Sequence, residues 1–273
     1  MNSIRQAAIA GSWYPGKPSI LQQDIEKYFR AVPDSGVKGE IVALVAPHAG
    51  YMYSGQVAAH AYKAVSGYEY STVVVISPSH RAYFPFVSVW KSGAFETPLG
   101  SLEVDETLCE RLAAVPGVFT DDIRPHEAEH ALEIQLPFLQ AVLPPFRLCP
   151  LIMGRQDPDV CRDLARALHK SIENHDEVLI VASSDLSHFH SADIAEAMDS
   201  RVAQAIDRFD IEGLIRDLKH TKSEACGGGP VLTALMYAQA LSRTESMVLK
   251  YAHSGHITGD NSSVVGYLSA VIY

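Results

Sequence analysis

The sequence is poor in cysteine, in basic clusters and in long apolar stretches, and each shortage excludes a class of protein. Four cysteines in 273 residues, none in a C-x-x-C pair, do not make a disulfide framework and favour a reducing cytoplasm. No apolar run approaches the length of a membrane span, and residues 1–5 lack the apolar core of a signal peptide. The formal net charge of −10 argues against nucleic-acid binding and anionic membranes, because those partners require clustered Lys and Arg.

Apolar residues, 47% of the chain, fall into short runs that predict buried strands. Runs buried on both faces are typical of parallel sheets covered by helices, and helical patterns separate the runs here. We therefore predict an α/β fold, a single domain over residues 1–273 with a mostly parallel central sheet flanked by helices. The predicted strands are residues 41–45, 72–76, 148–153 and 178–181, with a closing strand at 263–273 and a β-hairpin within 86–104. The predicted helices are residues 54–65, 105–114, 129–142, 157–171, 192–209 and 230–241.

Three of the predicted strands end in a short polar turn that carries histidine or aspartate. His48 follows the first strand, His80 follows the second, and Asp185 and His188 follow the strand at 178–181. Ligands in open α/β sheets bind outside the carboxyl ends of the strands, so these side chains are expected at one edge of the sheet. A single histidine after a strand is more often a structural hydrogen-bonding group, but three such strand ends favour a shared site.

Cys226 differs from the other three cysteines, which lie in apolar or helical contexts where an inert core role is expected. It precedes three glycines and Pro230, where a helix is predicted to begin. A helix N-terminus lowers the pKa of a thiol and favours the thiolate, the form that binds metal or attacks an electrophile. The plain alternative is a loop cysteine beside a flexible glycine turn, and both interpretations stay open for this segment alone.

Residues 126–130 spell H-E-x-x-H, the zinc-protease signature, in which His126 and His130 would share one face of a helix. The flanking residues argue against a protease, because a metzincin would have Gly and His where Glu133 and Leu136 stand. The sequence offers no glutamate between Glu133 and Glu173 as a third ligand. We interpret the match as accidental and expect His126 to lie away from the pocket or to play only a supporting part, with His130 directed toward it.

The remaining signal is a series of motifs spread over nearly the whole chain. They are Gly11-Ser12-Trp13-Tyr14, Ala46-Pro47-His48-Ala49-Gly50-Tyr51, Ser77-Pro78-Ser79-His80, Glu129-His130-Ala131-Leu132-Glu133, Ser183-Ser184-Asp185 with His188, and Cys226-Gly227. In this order they resemble the Memo-like family, whose bacterial and archaeal members are called AmmeMemoRadiSam system protein B. The resemblance runs from about Gly11 to the C-terminus.

The resemblance implies a fold similar to the catalytic subunits of class III extradiol dioxygenases, which bind Fe(II) through two histidines and a glutamate. His48 and His80 match the two metal-binding histidines, and Cys226 replaces the carboxylate ligand. The candidate catalytic groups that match residues near the pocket are His130, Asp185 and His188.

A thiolate ligand departs from the two-histidine, one-carboxylate pattern and shifts preference toward copper, zinc or thiolate-ligated iron. We expect Fe(II) or copper as the cofactor, with zinc as the alternative. The family name also implies association with an AMMECR-type protein and a radical-SAM protein.

Three functions fit the sequence. The first is a metal-dependent redox enzyme of unknown substrate, with His130 and His188 as acid and base near neutral pH. The second is a non-catalytic binding module that keeps a dioxygenase-like pocket for a peptide or metabolite. Trp13 and Tyr14 would lie at the rim of that pocket, although we expect them to pack within the N-terminal segment instead. The third is catalysis by Cys226 as a nucleophile without metal.

Overall fold

A computed structural model describes residues 4–37 and 39–273, so part of the segment tested for a signal peptide, residues 1–3, lies outside the described residues. The strands are β1 (Ile4–Arg5), β2 (Ala43–Ala46), β3 (Thr72–Pro78), β4 (Val87–Val89), β5 (Ala94–Thr97), β6 (Gly100–Glu103), β7 (Phe119–Thr120), β8 (Arg147–Met153), β9 (Val178–Ser183), β10 (Asp185–His190), β11 (Ser246–His253) and β12 (Val264–Ile272). The α-helices are α1 (Pro18–Arg30), α2 (Tyr51–Ala64), α3 (Glu106–Ala113), α4 (Arg124–Glu127), α5 (His130–Glu133), α6 (Leu136–Val142), α7 (Pro158–Ser171), α8 (Ala192–Asp207), α9 (Ile211–Lys219), α10 (Gly228–Ala240) and α11 (Gly255–Thr258).

The main sheet has the strand order β10-β12-β2-β9-β3-β8-β4-β7, and β11 pairs with β12. Its centre is parallel, because β2, β9, β3 and β8 run in the same direction. The residues of β2, β3 and β9 are buried throughout, as expected for strands covered on both faces. The predicted α/β fold with a mostly parallel sheet flanked by helices is therefore confirmed, and β12 and β4 extend the parallel centre in antiparallel pairing.

Helices cover the sheet and pack on one another. Helix α10 lies on β2, β3 and β9 and packs against α7, while α2 lies on β2, β11 and β12. Helix α8 contacts β10, β11 and β12. These contacts bury one large apolar core, which includes most of the residues of the central strands, and a small second cluster between α8 and β12. The rigid centre of the sheet therefore positions the loops that follow its strands.

The predicted helix over residues 129–142 is divided in the structure into α5 and α6. Glu133, the last residue of α5, is buried and accepts hydrogen bonds from Arg5 (2.5 Å) and from the hydroxyl of Tyr14 (2.6 Å). Pro137 lies in the first turn of α6, where its missing N–H is not needed. Its ring would clash with the carbonyl of Glu133 in one continuous helix, so the chain begins a new helix instead.

The predicted hairpin within residues 86–104 is confirmed, since β5 and β6 pair in antiparallel register. The structure adds that β1 pairs in parallel with β5, so these three strands form a small separate sheet. Among residues 4–37 and 39–273, no helix is long and apolar enough to cross a membrane.

Candidate metal centre

The polar turns of three neighbouring strands meet at one edge of the sheet. Strand β9 lies between β2 and β3, and all three are parallel. His48 comes two residues after the end of β2, His80 two residues after the end of β3, and Asp185 two residues after the end of β9. The prediction that these side chains share one edge of the sheet is confirmed.

His48 is buried, and its ring is fixed by a chain of hydrogen bonds. Its Nδ1 lies 2.9 Å from the hydroxyl oxygen of Ser183. That hydroxyl donates to the carbonyl of Ala131 (2.6 Å) and accepts from the side-chain amide of Gln135 (2.8 Å). Because the hydroxyl proton is already engaged, Nδ1 of His48 carries the proton and donates. The opposite nitrogen, Nε2, is therefore unprotonated and able to bind a metal ion.

His80 is fixed in the same tautomer by a carboxylate. Its Nδ1 lies 2.9 Å from Oε1 of Glu129, and its backbone amide donates to Oε2 at 2.6 Å. Burial raises the pKa of Glu129, but the hydrogen bonds from the ring and amide of His80 outweigh that effect and lower the pKa to about 2. Glu129 is thus an anion at neutral pH that holds a proton on Nδ1 of His80, so Nε2 is the ring nitrogen directed away from the carboxylate and presented to a metal ion.

Cys226 completes a set of three donors. Its Sγ lies 2.9 Å from Nε2 of His48 and accepts the backbone N–H of Asp185 at 3.2 Å. Ligand atoms of His48, His80 and Cys226 all lie within 4.8 Å of one another. Two imidazole nitrogens and one sulfur suit iron, copper or zinc. Histidines that bind metal typically donate their other ring N–H to a carboxylate or another oxygen acceptor, as both histidines do here. The residues at this site therefore fit the metal that the resemblance implies.

The expected lowering of the Cys226 pKa by the helix N-terminus is wrong for the metal-free protein. Burial raises the pKa of the thiol well above its ordinary value, and the carboxylate of Asp185 adds to the effect. Helix α10 begins at Gly228, and the thiol precedes it in an enclosed position where the loss of hydration dominates. The thiol is therefore protonated at neutral pH and donates to Nε2 of His48.

Gly227 allows the Cys226 turn to approach the end of β9. A Cβ atom at position 227 would lie 2.0 Å from the carbonyl oxygen of Ser183 and 2.7 Å from Cβ of Ser184. The amide of Gly227 also donates to the hydroxyl of Ser184 at 3.0 Å. Any side chain here would push Cys226 away from His48, so the glycine has a positional role beyond flexibility.

Two histidines of the site, His48 and His130, are neutral at physiological pH. Burial lowers the pKa of His48 to about 3, and the nearby His80 contributes. Burial and the adjacent His48 lower the pKa of His130 to about 4. Neutral imidazole is the form that binds metal or accepts a proton, so these two rings are in that form near pH 7.

The candidate catalytic residues lie around the three donors. The ring centroid of His130 lies 4.5 Å from that of His80, and its Nδ1 is 3.2 Å from Oε1 of Glu129. Asp185 accepts the backbone amide of His48 at 2.7 Å, and burial raises its pKa to about 6. Nδ1 of His188 lies 2.8 Å from the carbonyl of Leu186, to which it donates, so Nε2 is the ring nitrogen left to contact a ligand.

His126 lies outside this group, as expected. It is packed against Trp90 and Phe95, with ring centroids at 5.8 and 6.2 Å, and does not line the cavity described below. His126 and His130 occupy two separate short helices, α4 and α5. The geometry of a zinc protease, with both histidines on one helix face, is therefore not formed by the described residues.

A cavity of about 630 Å³ opens above the donors. His48, His80, His130, Asp185 and His188 all line it. Aromatic side chains make much of the remaining wall: Trp13, Tyr53, Phe189 and Tyr267. A second cavity, of about 1160 Å³, is lined by Cys226 and also by His188, so the sulfur is approached from another side.

The two N-terminal aromatic residues have different roles. Tyr14 is buried and donates to Glu133, as the packing interpretation predicts. Trp13 is 37% exposed and lines the cavity with its ring centroid 4.3 Å from that of His130. The prediction of simple packing is therefore wrong for Trp13.

Sequence reasoning missed the residues that orient the histidines. Ser183, Gln135 and Glu129 lie in or beside the quoted motifs, but the local sequence does not indicate which histidine each of them contacts. Phe189 was also missed; it is 77% exposed and has a φ of +63°, an uncommon backbone conformation for an aromatic residue. Its position after His188 in a polar turn was the available signal.

Comparison with known proteins places this chain in a family. The model of the family described as Memo-like protein matches residues 5–271. A MEMO1 family protein of Methanothermobacter thermautotrophicus is 39% identical over 97% of this chain and 98% of its own length. MEMO1 family proteins of Sulfolobus acidocaldarius and Methanopyrus kandleri are 38% and 37% identical, over 97% and 98% of this chain and 98% of their own lengths. The chain belongs to the Memo-like family.

Proposed function

We propose that this protein is a metal-dependent redox enzyme, with His48, His80 and Cys226 as ligands of a non-haem iron or copper ion. The observation that carries the proposal is the matched tautomer of the two histidines. Each keeps its Nδ1 proton against a buried acceptor, Ser183 for His48 and Glu129 for His80, and presents Nε2. Structural histidines do not require that shared arrangement, whereas metal ligands do.

Binding of the ion requires one main chemical change in the protein. The thiol proton that Cys226 donates to His48 must leave, which frees both the sulfur and Nε2 as donors. His48 is already neutral, so its protonation state does not change. Bound iron or copper would supply redox chemistry and a Lewis acid, with coordination positions left for small molecules.

The remaining residues act on a substrate in the cavity. His130 and His188 both line it, and each has an imidazole able to accept or return a proton. Asp185 holds the backbone of His48 and is itself within the cavity wall, so its carboxyl group positions the ligand loop. Trp13 and Phe189 provide apolar surface that excludes water and contacts the apolar parts of a substrate.

A second candidate function is a binding module that takes a peptide or metabolite into the same cavity without chemistry. The aromatic wall favours it, because pockets for organic ligands are lined mainly by apolar and aromatic groups around a few polar ones. A metal-free cysteine nucleophile has less support, since the Cys226 thiol is protonated and its neighbour His48 has a pKa near 3. A cytoplasmic location and association with AMMECR-type and radical-SAM proteins stay predictions.

Elemental analysis after anaerobic purification tests the proposal. The protein is prepared without chelator or histidine tag, beside Cys226→Ser and the control Cys161→Ala, a buried cysteine on α7 away from the site. The proposal expects about one iron or copper per wild-type and Cys161→Ala chain and a clear loss in Cys226→Ser. Equal metal content in all three proteins contradicts it and favours the binding module.

A further inference from the structure

A second group of donors lies where α8 meets the end of β11. Glu196 is an exposed residue of α8, His253 is the last residue of β11, and His256 is an exposed residue of α11. Ligand atoms of these three residues lie within 4.8 Å of one another. The group is separate from His48, His80 and Cys226, and it was not predicted from the sequence.

The position of His253 is not explained by hydrogen bonding within the protein. The residue is 3% exposed, and within the described part of the chain its Nδ1 has no hydrogen-bond partner. Its Nε2 lies 3.3 Å from Oε1 of Glu196, a contact longer than a good charge-assisted hydrogen bond. The buried imidazole is thus held only by a weak contact at Nε2, which a metal ion shared with Glu196 would replace.

His256 is held beside it in a geometry that allows metal binding. The two ring centroids are 3.8 Å apart with planes inclined by 36°. Nδ1 of His256 accepts the backbone N–H of His253 at 3.1 Å and lies 3.3 Å from its carbonyl oxygen. For Nε2 of His256 to bind a metal ion, the ring proton moves to Nδ1, which then donates to the carbonyl of His253 in place of accepting the amide.

The donor spacing also suits a metal ion. A tetrahedral ion with bonds of about 2.0–2.1 Å holds two donors about 3.3 Å apart. The 3.3 Å between Nε2 of His253 and Oε1 of Glu196 equals that separation. Two imidazoles with one carboxylate are a known ligand set for zinc, with a further position open to water or another ligand.

We propose that Glu196, His253 and His256 form a second metal site, for zinc or a similar divalent transition ion. The ion joins α8 to the β11–α11 corner. Ser254 and Thr258 belong to that corner and line the cavity above the first site. Occupancy of the second site therefore fixes one wall of that cavity. The proposal does not depend on the redox function, because the two sites share no ligand.

Cobalt(II) titration distinguishes the two sites in the whole protein. Cobalt bound to a thiolate gives an intense sulfur-to-metal charge-transfer band, while cobalt bound only to nitrogen and oxygen gives weak bands. Wild-type protein is expected to bind two cobalt ions, one with the intense band and one without it. Glu196→Gln and His256→Asn change exposed residues, so folding is retained, and His220→Asn is a matched control at an exposed histidine elsewhere.

We expect Glu196→Gln and His256→Asn to weaken cobalt binding at the second site, which lacks the intense band, by at least about tenfold. Cobalt binding at the thiolate site, which gives the intense band, should be unchanged. Zinc dialysis should show the same loss of one ion. Hydrogen exchange of residues 254–259 should slow with zinc in wild type and in His220→Asn, but not in the two variants. If both variants bind zinc and cobalt as His220→Asn does, the second site is excluded. If wild-type protein binds cobalt with the weak bands alone and never shows the intense band, the redox proposal fails while the second site stands.

Discussion

Nε2 of His48 lies 2.9 Å from Sγ of Cys226, although 178 residues separate the two in the sequence. The contact joins the end of β2 to the turn before α10. The contact is a hydrogen bond in which the thiol donates its proton to Nε2 of His48, and a bound metal ion would displace that proton. The nearby Nε2 of His80, fixed by Glu129, supplies the third donor, and the central claim of this account is that the three bind one ion.

Metal binding should release about one proton per chain. Burial raises the pKa of the Cys226 thiol, so at pH 7 the proton is present before binding and absent afterwards. Affinity should therefore rise with pH, by up to about tenfold per pH unit while the thiol stays protonated. Calorimetry under anaerobic conditions in buffers of different ionisation enthalpy measures the release. A release that is the same in wild type and Cys226→Ser would exclude the thiol as its source.

Glu129→Gln should weaken metal binding by about 10- to 100-fold. Glutamine keeps the size of the side chain but removes the anion that holds the Nδ1 proton of His80. Glu127→Gln is the control, because Glu127 is exposed two residues away. Metal titration of both variants measures the effect. Equal affinities in the two variants would show that Glu129 has only a structural role.

Gly227→Ala should lower the free energy of unfolding by about 1–3 kcal/mol, the usual range for overpacking. The added methyl group would lie 2.0 Å from the carbonyl oxygen of Ser183. Gly50→Ala is the control, since a Cβ atom there lies 3.4 Å from the nearest atom, the carbonyl oxygen of Trp13. Urea unfolding of both variants measures the difference. Equal stabilities would mean that the Cys226 turn is not closely packed against β9.

His126 should contribute to acid sensitivity of the fold. Burial lowers the pKa of His126 to about 3, below its ordinary 6.5, so between these values the unfolded chain binds a proton that the folded chain does not. Its contribution is complete above pH 6.5 and decreases as the pH falls toward 3, by at most about 1.4 kcal/mol per pH unit. Denaturant unfolding of wild type and His126→Asn at pH 7 and pH 5 measures this. The stability difference should shrink at pH 5, and a constant difference would contradict the buried neutral state.

The sheet and the candidate metal ligands and catalytic residues could be predicted from the sequence because both depend on local pattern. Apolar runs of four to six residues marked β2, β3, β8 and β9, and the polar residues after them marked His48, His80 and Asp185. Cys226 was found from its glycines and from the family resemblance. Helices α1 and α9 and strands β10 and β11 were missed, since their partly polar sequences give weaker patterns.

The sequence did not allow prediction of properties that arise from packing across the chain. Ser183 and Glu129 orient the histidines through side chains whose direction no local pattern records. The Cys226 pKa was expected to fall with the helix N-terminus, but enclosure of the thiol raised it. His253 and His256 face Glu196 only because β11 lies beside α8, a contact absent from the sequence pattern.

X-ray absorption spectroscopy at the metal edge tests the central claim most directly. The protein is loaded anaerobically with one equivalent of iron, copper or zinc, beside Cys226→Ser. The account predicts one sulfur neighbour together with imidazole nitrogens in wild type, with sulfur at about 2.3 Å and nitrogen at about 2.0–2.1 Å for zinc, and loss of the sulfur in Cys226→Ser. A wild-type spectrum with only nitrogen and oxygen neighbours, unchanged in Cys226→Ser, would show that the ion binds elsewhere and would contradict the account.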